Sequence, residues 1–313
     1  MRIAFLGTPE FALPSLQRLF DAGHELFVFT QPDRPRDRGH SLVMPPVKKL
    51  ALELGLPVYQ FARIRDPEGV EALRGVCPEI MVTAAFGQIL SAENLAVPML
   101  GCINVHGSLL PAYRGAAPIQ WAVINGERVT GVTTMMTDIG LDTGDVLLKR
   151  ETQIGPDETA GELYSRLAEM GADLLIETID ALTEGRLVRT PQDEALATRC
   201  GMIKKEMARI DFNRTAHEVH CLVRGMNPAP GAFTVIAGQP VKVWKTAETA
   251  AEAPFDPSAP NGACVIADPK RGLFIKCADA LIEVKELQFP GSKRMEAKAA
   301  LNGKRLLGMV AGQ

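Results

Sequence analysis

Five short apolar runs punctuate the first half of the chain: RIAFLG (2–7), LFVFTQ (26–31), EIMVTAAF (79–86), CINVHG (102–107) and VTTMMTD (132–138). Each is bounded by Gly, Pro or Asp and lacks a polar face, which is the pattern of strands buried on both sides. Helical spacing lies between them, over 14–22 from Pro14 and over 117–126 around Trp121. Strand and helix in alternation predict an open, mostly parallel, Rossmann-like α/β sheet.

A longer helix is predicted from Asp157 to about Glu184, with Leu163, Leu167, Met170 and Leu174 on one stripe and Gly185 placed to stop it. The pattern then breaks. Residues 186–210 hold Pro191, scattered charges and KKE at 204–206, and read as a connector. After a short helix near 214–224, strand-like runs recur: AFTVI (232–236), VKVWKT (241–246), ACVIAD (263–268), GLFIKC (272–277) and ALIEVKEL (280–287). Five short strands in so short a stretch predict a small OB-like β-barrel. The expected organisation is a first domain over 1–190, a linker over 191–208 and a second domain over 209–313.

Composition narrows the function classes. The chain has 313 residues, 46% hydrophobic and 23% charged, which are ordinary globular values. Neither a membrane-length apolar run nor a signal-peptide pattern is present, so a cytoplasmic location is expected. Six cysteines at 77, 102, 200, 221, 264 and 277 form no CxxC, which disfavours a zinc ribbon or a disulfide scaffold. The net charge of −3 hides an asymmetry: residues 207–313 carry +4 and residues 1–206 carry −7. A basic back half is suited to a polyanion.

The first strand ends in GTPEF, with one glycine where a dinucleotide grip needs three, which argues against an NAD enzyme. Chemistry concentrates in GCINVHGSLLPAYRGAAPIQWAVINGE (101–127). Asn104 and His106, two apart near a strand end, share one side of the strand. An amide donor beside an imidazole suits a developing oxyanion with proton transfer. On spacing alone, a loop-capping Asn and a backbone-satisfied His remain the commoner reading. A second cluster, TDIGLDTGD (137–145), offers Asp138, Asp142 and Asp145, one of which could orient His106. A solvated turn or a divalent-metal loop is its alternative, although the full EF-hand pattern is lacking. The segment TQPDRPRDRGHSLVMPPVKKLA (30–51) reads as a long loop presenting Arg34, Arg36 and Arg38 to phosphates, or as a Pro-stiffened excursion. HEVHC (217–221) spaces His217 and Cys221 one helical turn apart, and reads as a helix surface rather than a metal site.

Taken together, GTPEFA, the TQPDRP loop, INVHGSLLPAYRGAAPIQWAVINGE with DIGLDTGD, and NPAPGAF with KRM resemble the methionyl-tRNA formyltransferase family. The resemblance spans nearly the whole chain. It implies a catalytic trio of Asn104, His106 and Asp142, and a folate site lined by Ser108, Leu109, Leu110 and Pro111. It also implies 10-formyltetrahydrofolate as co-substrate without a metal, and methionyl initiator tRNA as acceptor. The tRNA would be met by Arg34, Arg36, Arg38, Lys204 and Lys205 of a monomeric protein. Two departures stand out: His40-Ser41 where the family carries lysines, and Ala229 where it carries an aromatic residue. A formyltransferase acting on a small amine, such as a nucleotide sugar, is the alternative.

Overall fold

A computed structural model describes residues 1–36, 39–248, 255 and 257–312, with the side chains of 35, 36 and 39–41 outside the description. The contacts divide the chain into two units. The first comprises 1–118, 130–152 and 164–200, and the second 119–129, 153–163 and 201–313.

The first unit is built on a seven-stranded sheet. Its order is Val146–Gln153, Val129–Met136, Cys102–His106, Ile80–Ala84, Arg2–Gly7, Glu25–Thr30, Val58–Gln60. Arg2–Gly7 pairs in parallel with both Glu25–Thr30 and Ile80–Ala84, and Ile80–Ala84 in parallel with Cys102–His106. All five residues of Ile80–Ala84 are buried, which is why that strand shows no polar alternation. Two strands of this sheet are additional to the five expected. Val58–Gln60 is three half-buried residues long, too short for a periodicity signal. Val146–Gln153 alternates buried and exposed positions at the sheet edge, so its outward Lys149 and Glu151 mask it in the sequence. Val129–Met136 runs antiparallel to Cys102–His106, with Thr133 opposite His106.

The long helix spans Ala160–Thr183, with Gly185 beyond it at φ +67°. A threonine–glutamate pair caps its start: Glu162 accepts from Thr159 N and Oγ1 at 2.9 and 2.7 Å. Inside the helix, Gly171 lies so close to the sheet that a Cβ there would come within 2.7 Å of Val105 Cγ1. That glycine sets the helix directly against the strand carrying Asn104 and His106.

The described residues of the predicted loop over 30–51 include regular elements. Arg34–Arg36 and Gly39–Val43 pair as an antiparallel hairpin, and Pro46–Glu53 is a helix opened by its proline. Lys48 Nζ ties the base by donating to both oxygens of Asp33, at 2.8 and 2.7 Å. Its ammonium, with Gln60, holds the Asp33 carboxyl below the usual carboxylate range.

In the second unit, Phe233–Ile236, Gln239–Glu248, Leu281–Gln288, Gly272–Lys276 and Cys264–Asp268 follow one another in an antiparallel, OB-like sheet, with Met295–Glu296 added beside Leu281–Gln288. The helix Ala216–Gly225 is capped reciprocally by Thr215 and Glu218, and its Val219 and Val223 enter the core with Val243, Ile275 and Ile282. HEVHC is therefore not the open helix surface its sequence suggests. His217 is exposed, but His220 and Cys221 are buried. Desolvation pushes the core thiols Cys264 and Cys277 up to about 12, so both stay protonated.

His220 is 3% exposed, with Nε2 donating to the Pro156 carbonyl at 3.1 Å and Nδ1 accepting from Thr246 Oγ1 at 2.9 Å. Burial is the main cause that lowers its pKa, and the nearby Arg224 lowers it further. A histidine held neutral in this way contributes stability that is complete above the unfolded pKa of about 6.5 and is lost as pH falls toward the folded value.

Two outcomes are expected. Melting temperature measured against pH should fall below about pH 6.5, and His220→Gln should flatten that limb. Gly171→Leu should cost about 1–3 kcal/mol by overpacking against Val105, read as a melting temperature lower by roughly 3–10 °C. Gly75→Ala, exposed in the helix Pro67–Val76 with open space at its Cβ, should instead stabilise by about 0.5–1 kcal/mol.

Candidate active site

The C-terminal end of Cys102–His106 brings the predicted trio together within the first unit. Asn104 lies opposite Thr83 in the parallel ladder, and its Oδ1 accepts from Thr83 Oγ1 at 2.8 Å. That bond turns the other end of the amide outward: Nδ2 has no hydrogen bond among the described residues. Thr83 was not singled out in the sequence, although it is a polar residue inside a wholly buried strand. Cys102, two residues before Asn104, is buried, and desolvation pushes its thiol up to about 11. It is strand packing, not a nucleophile.

His106 is 6% exposed. Its Nε2 faces the Tyr113 carbonyl at 3.0 Å, and since a carbonyl only accepts, Nε2 carries the hydrogen. Nδ1 is thereby turned to Asp142, whose Oδ2 lies 3.7 Å away. That separation exceeds a hydrogen bond. With Nε2 committed to Tyr113, oxyanion donation by His106 from that atom requires exchanging this bond, whereas Asn104 Nδ2 is already free.

Backbone conformation aims both partners. Tyr113 and Asp142 lie in the left-handed region at φ +60° and +54°, a placement few non-glycine residues adopt, asparagine and aspartate most readily. Asp142 Oδ2 accepts from Gly115 N at 2.8 Å, and Oδ1 has no partner among the described residues. Gly115, at φ +124°, has no room for a Cβ, which would meet the Cys200 carbonyl at 2.1 Å. This crowding arises because Arg114–Gly115 pairs in parallel with Arg199–Cys200. Residues 191–200, expected as free linker, are thus stitched to the strand end. Of the other carboxylates in 137–145, Asp138 closes the turn, accepting from Gly140 N at 3.0 Å and Thr143 Oγ1 at 2.7 Å.

The turn after His106 is pinned by Thr133, whose Oγ1 donates to the Ser108 carbonyl at 2.7 Å and accepts from Leu110 N at 3.1 Å. Ser108 Oγ donates to the Ala112 carbonyl at 2.6 Å, and Leu110 is buried with Met135 and Val146. Their side chains are spoken for. Leu109 and Pro111 are half-buried, and with the turn's backbone they are what this segment offers to a ligand. Of the predicted cations, Arg34 is exposed and donates to Gln31 Oε1, and Lys204 and Lys205 are exposed. The Arg36 side chain and all of Arg38 lie outside the described residues, as do the side chains of His40 and Ser41.

Residues 1–179 match the formyl transferase family and residues 202–305 the formyl transferase C-terminal domain. The methionyl-tRNA formyltransferase of Ruminiclostridium cellulolyticum is 52% identical over 309 residues, covering 98% of this chain and 97% of that one. That of Geotalea uraniireducens is 47% identical over 315 residues, covering 100% and 98%. Among solved structures, the sugar 3N-formyl transferase WlaRD aligns with a TM-score of 0.65 at 20% identity, over 94% of this chain and 99% of that one. HypX from Aquifex aeolicus aligns with a TM-score of 0.63 at 19% identity, over 96% and 47%. At such identity these two speak for the fold. The two family matches and the full-length relatives establish that the chain belongs to the formyl transferase family.

Proposed function

We propose that the protein transfers the formyl group of 10-formyltetrahydrofolate to the α-amino group of methionyl initiator tRNA, as a cytoplasmic monomer. The observation that carries the chemistry is the meeting of Asn104, His106 and Asp142 at one strand end, with Asn104 Nδ2 and Asp142 Oδ1 both free. The full-length likeness to methionyl-tRNA formyltransferases carries the choice of acceptor.

An α-amino group titrates near pH 8, so a fraction is already nucleophilic without a strong base. As it attacks the formyl carbon, a new N–C bond forms and negative charge gathers on the formyl oxygen. Asn104 Nδ2 donates to that oxygen. The proton released by the attacking amine goes to Asp142 Oδ1, directly or through a water, and then to the departing donor nitrogen as the original N–C bond breaks. His106, fixed by the Tyr113 carbonyl, turns Nδ1 toward Asp142 and offers it as an alternative proton carrier. The half-buried Leu109 and Pro111, with the backbone of the Ser108–Pro111 turn, form the proposed donor subsite. Arg34, Arg36, Arg38, Lys204 and Lys205 are the cations proposed to contact tRNA phosphates, which makes binding weaken with added salt.

The test is formyl transfer from 10-formyltetrahydrofolate to charged initiator tRNA, beside charged elongator methionine tRNA and a nucleotide-linked amino sugar. Product on the initiator alone is expected, and product on the amino sugar alone overturns the proposal. Asn104→Ala is expected to lower turnover roughly 100- to 1000-fold, the usual cost of one oxyanion donor, with tRNA affinity retained. His106→Ala and Asp142→Ala should also lose most turnover, and near-wild-type rates in any of the three would remove that residue from the mechanism.

A further inference from the structure

Asp142 is held in an uncommon conformation by a residue that neither belongs to the trio nor lies near it in sequence. The Gln192 side-chain amide Nε2 donates to the backbone carbonyls of Asp142 and Gly144, at 2.8 and 2.7 Å. Its Oε1 accepts from Arg114 Nε at 3.0 Å. Arginine only donates, so this contact fixes which end of the amide faces the turn. Arg114 is 1% exposed, and its two terminal nitrogens donate to both oxygens of Glu194 at 3.0 and 2.7 Å. The next residue, Gly115, supplies the N–H that grips Asp142 Oδ2.

From this arrangement we infer that Gln192, braced by Arg114 and Glu194, is a positioning residue for Asp142. The carboxamide satisfies two carbonyls that a left-handed Asp142 turns away from any ladder, and so fixes the main chain at φ +54°. Gly115 fixes the carboxylate from the other side. Between them they set the 3.7 Å gap to His106 and leave Oδ1 pointing free. Substrate contact is not required of Gln192, which acts through Asp142. An approach error of about 1 Å in a reacting group costs on the order of 100-fold, so a brace of this kind is read in turnover.

This inference rests on Asp142 being catalytic, and the experiment separates the two. Gln192→Met keeps the length and removes the amide, and Gln192→Asn keeps the amide but cannot reach both carbonyls. With the full-length enzyme, charged initiator tRNA and 10-formyltetrahydrofolate, both are expected to lower kcat about 10- to 100-fold. KM for either substrate should stay within about twofold, because no binding contact is lost. Asp142→Ala should then make the Gln192 substitution nearly silent, since the two act as one unit. If Asp142→Ala is inactive while Gln192→Met and Gln192→Asn retain wild-type kcat, the positioning role is overturned and the catalytic reading stands. If Asp142→Ala is itself fully active, the catalytic reading fails. Should Gln192→Met not fold, Gln192→Asn decides alone, and a rise in KM with unchanged kcat counts against the inference.

Discussion

The hydrogen bond from the Gly115 amide to Asp142 gathers the separate parts of the first unit's site at one point. Its donor exists in that place only because residue 115 has no side chain and sits against the Cys200 carbonyl. Its acceptor exists only because Asp142 takes a left-handed backbone, which brings its carboxylate to the histidine. The strand Cys102–His106 contributes a rigid base on which Asn104 and His106 are presented at fixed spacing, and Gly171 lets the long helix close directly behind it. A loop-borne acid is thus given the precision of a sheet-borne one by backbone pairing rather than by packing.

Much of the fold was legible because the central strands have no polar face. Runs such as IMVTA can satisfy their backbone only inside a sheet, and the structure places them there. What escaped was what periodicity does not encode. Strand direction is one example: the helix between residues 107 and 128 invites a parallel crossover, yet Val129–Met136 runs antiparallel. Edge position is another, since the outward charges of Val146–Gln153 interrupt the apolar run by which a strand would be recognised. The connector reading of residues 186–210 followed from composition. Composition could not show that Arg199–Cys200 forms a two-residue ladder with Arg114–Gly115, or that Gln192 and Glu194 converge on a buried arginine.

The trio itself was legible in part. Alternation along a strand is enough to place Asn104 and His106 on one side, and a carboxylate near the histidine was one of three in the acidic turn. Choosing Asp142 among them came from the family resemblance. The geometry bears on the choice directly: Asp142 Oδ2 lies 3.7 Å from His106 Nδ1, whereas Asp138 closes its own turn with Gly140 and Thr143. The folate segment was legible as a segment but not side chain by side chain. Ser108 and Leu110 look like ligand contacts in sequence, and in the fold one hydroxyl is spent on Ala112 and the other side chain on the core.

Acyl transfer of the proposed kind needs no nucleophilic side chain. Two thiols flank this region: Cys102 is buried and pushed up to about 11, and Cys200, whose Sγ donates to the Tyr113 carbonyl at 3.4 Å, is raised by burial and by the nearby Asp142, so both are held as thiols. Among the described residues, Asn104 Nδ2 and Asp142 Oδ1 have no hydrogen-bond partner, one a donor and the other an acceptor. Acyl transfer between two amines creates a negative oxygen and moves one proton, and therefore asks for one donor and one acceptor. His106 is held between them by a carbonyl on Nε2, its Nδ1 lone pair facing a carboxylate at a distance too long for a bond.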